Sequence, residues 1–312
     1  MRIVVTGREG QLAHSLRAVG ASSGVDIVCL GRPQLDLSEA ATVSAALLGT
    51  GADVIINAAA YTAVDRAESE PEKAHAVNAA GAGLVAQAAQ RLGVPIVHIS
   101  TDYVFDGGWQ HPYREEDRVC PLGAYGASKH EGELRVAAAN PRHVICRTSW
   151  VYSPYGQNFV KTMLRLAGER DEVGVVADQL GSPTYALDLA ETLLRIARRV
   201  LDEKVVDEKA ADTPLFGVFH VAGGGQASWA DLAEAVFAAS ASSGGPSARV
   251  RRIDTKDYPT PARRPADSRL DTGKLQERYG IVLPDWRASV GDCVSRLLAA
   301  RAGTGSSSSA SP

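Results

Sequence analysis

At 312 residues, 45% of them apolar, the chain is long enough for one large domain or two smaller ones with a substantial core. Its 33 Lys and Arg against 36 Asp and Glu give a net charge of −3, which excludes a generally basic nucleic-acid binder. Ordinary Gly and Pro contents exclude collagen-like and wholly disordered chains, and no apolar run approaches the roughly 18 residues of a membrane span.

The first predicted strand, Ile3–Val5, runs through a glycine turn into a helix that reaches about Val19. A second strand, Asp26–Leu30, precedes a short helix over Thr42–Leu48, and a third, Asp53–Ala59, precedes a long helix from about Glu72 to Leu92. The fourth strand, Pro95–Ser100, a helix over Ala124–Ala139 and a fifth strand, Val144–Ser149, complete the regular part. Strands that are apolar throughout and separated by helices predict a parallel sheet covered on both faces. With right-handed crossovers this is a doubly wound α/β sheet of the Rossmann type.

Beyond Trp150 the pattern predicts helices at Asn158–Ala167, Ala186–Arg199, Trp229–Ala239 and Asp285–Arg301. Short strands are expected at Val173–Val176 and Val218–Val221, and a surface loop at Ser240–Pro246. The expected division is a nucleotide-binding domain over residues 1–150 with returning segments around 173–222, and a smaller α/β substrate-binding domain over 151–302. Residues 303–312 have nothing to bury and are expected to be disordered. The four cysteines (Cys29, Cys120, Cys146, Cys293) show no C-x-x-C spacing and read as reduced thiols. The start of the chain goes straight into a strand without the features of a signal peptide, so a cytoplasmic protein with neither membrane nor nucleic-acid partner is expected.

The first strand ends in Gly7-Arg8-Glu9-Gly10-Gln11-Leu12-Ala13, a G-x-x-G-x-x-A loop that opens a helix. Gly7 permits the tight turn, Gly10 lets a diphosphate approach the backbone, and Ala13 lets the helix pack closely on the sheet. The helix N-terminus then offers N–H groups and a positive dipole end to the phosphates, so a dinucleotide is expected here. An acid at the end of the second strand would hold the ribose 2′-hydroxyl of NADH. Gly31-Arg32 stands there instead, and Arg32 suits the 2′-phosphate of NADPH, which is slightly favoured over NADH.

Thr101 closes the fourth strand at the carboxyl edge where open α/β sheets place ligands. Tyr125 and Lys129 follow at helical i, i+4 spacing, on one face. An unperturbed phenol, with a pKa of about 10, exchanges protons poorly near neutrality, and a nearby ammonium is expected to lower it. The pair suits a general acid that protonates a carbonyl oxygen as hydride arrives.

With these motifs the chain resembles the extended short-chain dehydrogenase/reductases, and within them the dTDP-4-dehydrorhamnose reductase family. The resemblance covers residues 1 to about 300. It is carried by Gly7–Leu12, Leu35-Asp36-Leu37, Asn57–Thr62 leading into Ala63-Val64-Asp65, and Ser100–Gly107. Tyr125 with Lys129, Arg147–Tyr152, Asp178–Thr184 and Arg264–Leu270 extend it. It implies Thr101, Tyr125 and Lys129 as the catalytic set. It also implies cofactor contacts from Gly7, Arg8, Gly10, Gln11 and Leu12, from Asp36 and Leu37 near the adenine, and from Ala58, Ala59 and Ala60. Thr62, Val64, Tyr103 and Trp150 resemble substrate-side positions.

The implied reaction is NAD(P)H-dependent reduction of the C4 ketone of a dTDP-4-keto-6-deoxy-L-hexose. Sugar-nucleotide dehydratases resemble this family but follow Thr-Asp with a Glu; here Tyr103 follows Asp102, and Asp102 reads as a strand-end hydrogen-bonding residue. Six basic residues between Arg251 and Arg269 (Arg251, Arg252, Lys256, Arg263, Arg264, Arg269) face three acids and suit a substrate diphosphate. Some relatives dimerise around a metal held by glutamates. His14-Ser15 stand where one of those glutamates would be, so no metal and a monomer or weak homodimer are expected. Two alternatives stay open: a specialised deoxysugar reductase such as a dihydrostreptose synthase, and a non-catalytic regulatory subunit of the same fold.

Overall fold

Short Val- and Ile-rich runs with no polar face need cover on both sides, and the main sheet is built from them. The computed structural model describes residues 1–202 and 215–305. Strand β1 (Arg2–Thr6) turns into helix α1 (Gln11–Ser22), and β2 (Asp26–Leu30) leads to α2 (Ala40–Leu47). After β3 (Val54–Asn57) come α3 (Val64–Ala67), α4 (Pro71–His75), a π-helical turn (Ala76–Gly81) and α5 (Ala82–Leu92). Then follow β4 (Ile96–Thr101), α6 (Ala124–Ala139) and β5 (His143–Thr148). The less regular part holds β6 (Val151–Tyr152), α7 (Phe159–Ala167), β7 (Glu172–Val176), β8 (Leu180–Gly181), β9 (Thr184–Tyr185) and α8 (Ala186–Asp202). It continues with β10 (Gly217–His220), β11 (Ala227–Ser228), α9 (Trp229–Ser242), β12 (Arg249–Ile253), α10 (Gly273–Tyr279) and α11 (Trp286–Gly305).

The six-stranded sheet runs β10-β5-β4-β3-β1-β2, with every neighbouring pair parallel. Strand order reverses between β1 and β3, and a doubly wound sheet opens its ligand crevice at that point. Alternate side chains feed two faces. Ile3, Val5, Ile56, Val97 and Val144 pack under α1 and α8, while Val4, Ile55, Ile96 and Ile145 pack under α2, α5 and α6. A separate core joins α7, β7, α9 and α11 through Val160, Met163, Val175, Phe237, Trp286 and Val294. Among the described residues no helix is long and apolar enough to cross a membrane.

Several expectations need correction. Segments α8 and β10 do return to the first core, but β7 does not: it pairs in parallel with β12, which the sequence did not announce, and belongs to the second lobe. Leu275 of α10, with Ile281 and Leu283, also packs on the first core. The expected continuous helix from Glu72 to Leu92 is broken by the π turn. There Asn78 turns inward, accepting the Tyr61 N–H at 2.8 Å and donating to the Ser128 hydroxyl at 3.0 Å. Helix α9 runs into the loop expected at Ser240, ending at Ser242, and α11 continues to Gly305, past the expected start of the tail. The remainder of that tail, 306–312, lies outside the described residues.

Candidate active site

Helix α6 carries both Tyr125 and Lys129, so its placement sets the site. Its N-cap, Gly123, has no side chain to offer; Glu68, just past α3, supplies the cap, its Oε1 accepting the Ala124 N–H at 2.8 Å. A carboxylate there also answers the positive end of the helix dipole. Glycines bring the helix close to its neighbours. A Cβ on Gly126 would strike the Tyr103 carbonyl, and one on Gly132 the Asn78 carbonyl.

The residues expected on the reacting side come together. Thr62, Val64, Thr101, Tyr103 and Tyr125 line one cavity of about 490 Å³. Lys129, Trp150, Gln11 and Leu12 line the same cavity. A second cavity of about 510 Å³ is lined by Gly7, Arg8, Gly10, Arg32, Asp36, Leu37, Ala59 and Ala60. Gly10 and Ala60 border both, so the two clefts meet at the glycine loop. Ala58 sits behind them, packed on the first core. Gly7 has φ +100°, which favours glycine, and lies against the Ala59 backbone.

Hydrogen bonds anchor the side chains around the first cavity, which Tyr125 and Thr101 both line. The Thr101 hydroxyl donates to Asp102 Oδ1 at 3.0 Å, and the Ser149 hydroxyl donates to Asp102 Oδ2 at 2.9 Å. Lys129 Nζ donates to the Ile99 carbonyl at 2.6 Å. One turn further along α6, Glu133 receives a two-pronged, fully buried contact from Arg147 Nε and Nη2, each at 2.8 Å. Burial opposes the Glu133 charge, but Arg147 holds its pKa down at about 2.

The expectation that Lys129 lowers the Tyr125 pKa is not met in this arrangement. Burial pushes the phenol up to about 12, against the Thr101 hydrogen bond and with the Asp102 charge adding. The ammonium is held on the Ile99 carbonyl instead, and burial brings Lys129 down to about 8, with Glu133 opposing. Asp102 is raised to about 6 by burial, against hydrogen bonds from Ser268, Ser149 and Thr101.

The basic stretch also needs correction, because most of its charge is spent locally. Arg251 pairs with Glu172, Arg252 with Asp231 and Glu234, Lys256 with Asp254, Arg264 with Asp65, and Arg269 with Asp267. Gln11 does something its motif did not announce. Its amide donates to the Val151 carbonyl at 3.3 Å and accepts from Ser153 Oγ at 2.8 Å and Asn158 Nδ2 at 3.0 Å, tying the glycine loop to the second lobe. Ser15 is buried and donates to the Gln11 carbonyl.

Trp150, at φ +47°, stacks face to face on Trp229 with ring centroids 3.6 Å apart. A third cavity, of about 530 Å³, opens on the other side of Trp229 and is lined by Phe159, Arg165, Arg170, Gln179 and Arg264. Neither Trp229 nor this cavity was foreseen. They depend on contacts between segments some eighty residues apart, and no local pattern records those.

The family described as the RmlD substrate binding domain matches residues 1–299. The dTDP-4-dehydrorhamnose reductase of Sinorhizobium fredii is 52% identical over 298 residues, covering 96% of this chain and 98% of that protein. The enzyme of the same name from Escherichia coli K12 is 39% identical, covering 95% of this chain and 98% of that protein. Among solved structures, the Bacillus anthracis dTDP-4-dehydrorhamnose reductase in complex with NADP superposes with a TM-score of 0.85 at 35% identity, over 95% of this chain and 99% of that one. A Streptomyces venezuelae dTDP-glucose 4,6-dehydratase, 19% identical with a TM-score of 0.75 over 97% of this chain and 98% of that one, shares the fold.

Proposed function

This chain belongs to the dTDP-4-dehydrorhamnose reductase family, an NAD(P)H-dependent oxidoreductase that reduces dTDP-4-dehydrorhamnose, and from that premise we propose which of its residues do the work. Tyr125 is the proton donor to the ketone oxygen, Thr101 hydrogen-bonds that oxygen, and Lys129 holds the nicotinamide ribose. The observation that carries this reading is the meeting of two cavities at Gly10, one lined by these three side chains and the other by the glycine loop and Arg32. Neither a specialised deoxysugar reductase nor a regulatory subunit is favoured by the relatives, which share one name.

The residues present fit a dinucleotide. Gly10 caps α1 with open space where a Cβ would stand, leaving the first N–H groups of the helix free to meet a diphosphate. Bound NAD(P)H would supply a hydride, which is one proton carrying two electrons, to C4 of the sugar. Tyr125 gives its phenolic proton to the ketone oxygen, which with that hydride completes the alcohol. Lys129, released from the Ile99 carbonyl toward the ribose, then stabilises the phenolate left behind. The cavity lined by Trp229, with Arg170 on its wall, takes the dTDP arm. We take the working protein to be a cytoplasmic monomer or weak homodimer, in keeping with the buried Ser15 at the position of a metal-binding glutamate.

The test is NADPH consumption with dTDP-4-dehydrorhamnose. Tyr125→Phe should still bind cofactor and sugar nucleotide while turnover falls by roughly 10²–10⁴-fold, the range of a lost proton donor. Near-normal consumption by the variant would remove Tyr125 from this role.

A further inference from the structure

The segment Asp178–Thr184 reaches both tryptophans of the stacked pair. Gln179 is 6% exposed, and its Oε1 accepts the Trp229 indole N–H at 3.2 Å. Two residues on, a Cβ at Gly181 would strike the Trp150 ring, so the glycine makes room for that ring. The Thr184 N–H then donates to the Trp150 carbonyl at 3.3 Å.

The orientation of the Gln179 amide is dictated from behind. The Thr255 hydroxyl has a single proton, which goes to Asp178 Oδ1 at 2.7 Å, and the Thr255 N–H donates to the same carboxylate at 2.9 Å. The hydroxyl therefore meets Gln179 with a lone pair and accepts from its Nε2 at 3.0 Å. That leaves the amide oxygen facing the indole, whose nitrogen can only donate. Trp229 itself opens α9, where the capping box between Ser228 and Asp231 fixes the main chain. With its backbone fixed and its N–H held, the indole keeps one orientation. It lies flat against Trp150, and Phe159 is tilted against it with ring centroids 4.7 Å apart.

That orientation matters because Trp229 borders both the cavity that holds Tyr125 and the third cavity, assigned to the dTDP arm. A sugar nucleotide with its ketone at Tyr125 and its base in the third cavity has to run along this ring. We propose that Gln179 is a positioning residue that, through the Trp229 indole N–H, presets the aromatic wall along which dTDP-4-dehydrorhamnose binds. The proposal rests on the dTDP arm occupying the cavity lined by Trp229 and Arg170. A ring already set loses little freedom when substrate arrives, so the contribution is to substrate binding and not to the chemical step. Thr255 and Asp178 act further back, on the Gln179 amide.

The variant is Gln179→Met, which keeps the length of the side chain and loses the acceptor. In steady-state kinetics KM for dTDP-4-dehydrorhamnose should rise roughly two- to tenfold, the range covered by reordering one freed side chain. The kcat should stay within about twofold and NADPH affinity should be unchanged. Trp229→Phe keeps a ring but has no N–H to hold. On that background Gln179→Met should raise KM no further, because both changes break the same contact. The near-ultraviolet circular dichroism of Trp229, isolated as the difference between wild type and Trp229→Phe, should weaken in Gln179→Met. A Gln179 that only supports the fold would lower the unfolding midpoint but leave KM and the tryptophan signal as they were, and that result overturns the proposal. So does a full additional rise in KM on the Trp229→Phe background. Should Gln179→Met fail to fold, Thr255→Val, which frees the outer end of the Gln179 amide, should raise KM in the same direction, and an unchanged KM there is equally fatal. Failure of the underlying reading looks different. Arg170→Ala, on the wall of the same cavity, would then leave KM unchanged as well, whereas a raised KM in Arg170→Ala with none in Gln179→Met removes Gln179 alone.

Discussion

Arg32 shares its cavity with two other cations, Arg8 and Lys73, and with two acids, Glu9 and Asp36. Glu9 is engaged by Arg8, and Asp36 is turned to Ser38, whose N–H and hydroxyl it accepts at 3.0 and 2.7 Å. Arg8 is taken up by Glu9 and Lys73 by Glu70, which leaves Arg32, among the described residues of this cleft, as the cation with no carboxylate contact, able to meet a cofactor 2′-phosphate. Arg32→Glu should weaken NADPH binding by about tenfold or more, the loss of a charge-assisted contact, and leave NADH nearly unaffected. Fluorescence titration with both cofactors checks this, and equal losses would show that Arg32 does not read the phosphate. At this scale the sequence was informative about which residues meet and poor about what each one touches. Spacing placed Tyr125 beside Lys129, but nothing in Y-x-x-x-K says that the ammonium will find the Ile99 carbonyl. The arginines of the basic stretch were visible; their carboxylate partners, as far apart in sequence as Asp65 and Arg264, were not.

The element that matters most, α6, depends on a cap borrowed from another element. Glu68→Ala removes the acceptor of the Ala124 N–H, and loss of a cap costs about 1 kcal/mol. In a chain of this size the unfolding midpoint should drop by about 1–2 °C, and Glu68→Gln, which keeps an oxygen, should recover most of it. Thermal unfolding followed by circular dichroism measures both. The same scale explains the misread elements. A π turn adds little to the hydrophobic period, so Glu72–Leu92 reads as one helix although Asn78 interrupts it. Strand β12 holds three arginines with Val250 and Ile253, and its basic composition reads as a site for a diphosphate and not as a strand. Its Arg249 and Arg251 lie beside Glu172 at the start of β7, and only that pairing makes it a strand. Regular strands buried on both faces, by contrast, were found to within a residue or two because their composition allows no other environment.

For the whole molecule, two buried histidines tie stability to acidity. Burial holds His98 well below the usual value, with the Lys129 charge adding, and brings His220 to about 3, with Arg147 adding. Each ring takes up a proton more readily unfolded than folded. Its contribution is complete above the unfolded value of about 6.5 and is lost as pH falls toward the folded one. Asp102, raised to about 6, opposes this in its own narrower range, as do Glu115 and Asp188, which burial also raises. The expected net result is a urea midpoint lower near pH 5 than near pH 7. The ring signals of His98 and His220 should show no titration across that interval in NMR spectra, and a mid-range titration of either would contradict their neutral burial.

The order of strands also sets a timetable for a chain made from one end. β10 closes the open edge of β5, and α8 covers the face that holds Val97 and Val144, yet both lie in the second half of the sequence. From the end of β5 to the end of β10 the ribosome adds about 70 residues, several seconds of synthesis at about 5–20 residues per second. Over that time five strands wait with the β5 edge still unpaired and one face covered by α1 alone, the state in which a sheet recruits strangers. A chain stopped at Trp150 would remain in that state, since the sheet built by the first half is finished only by α8 and β10 of the second.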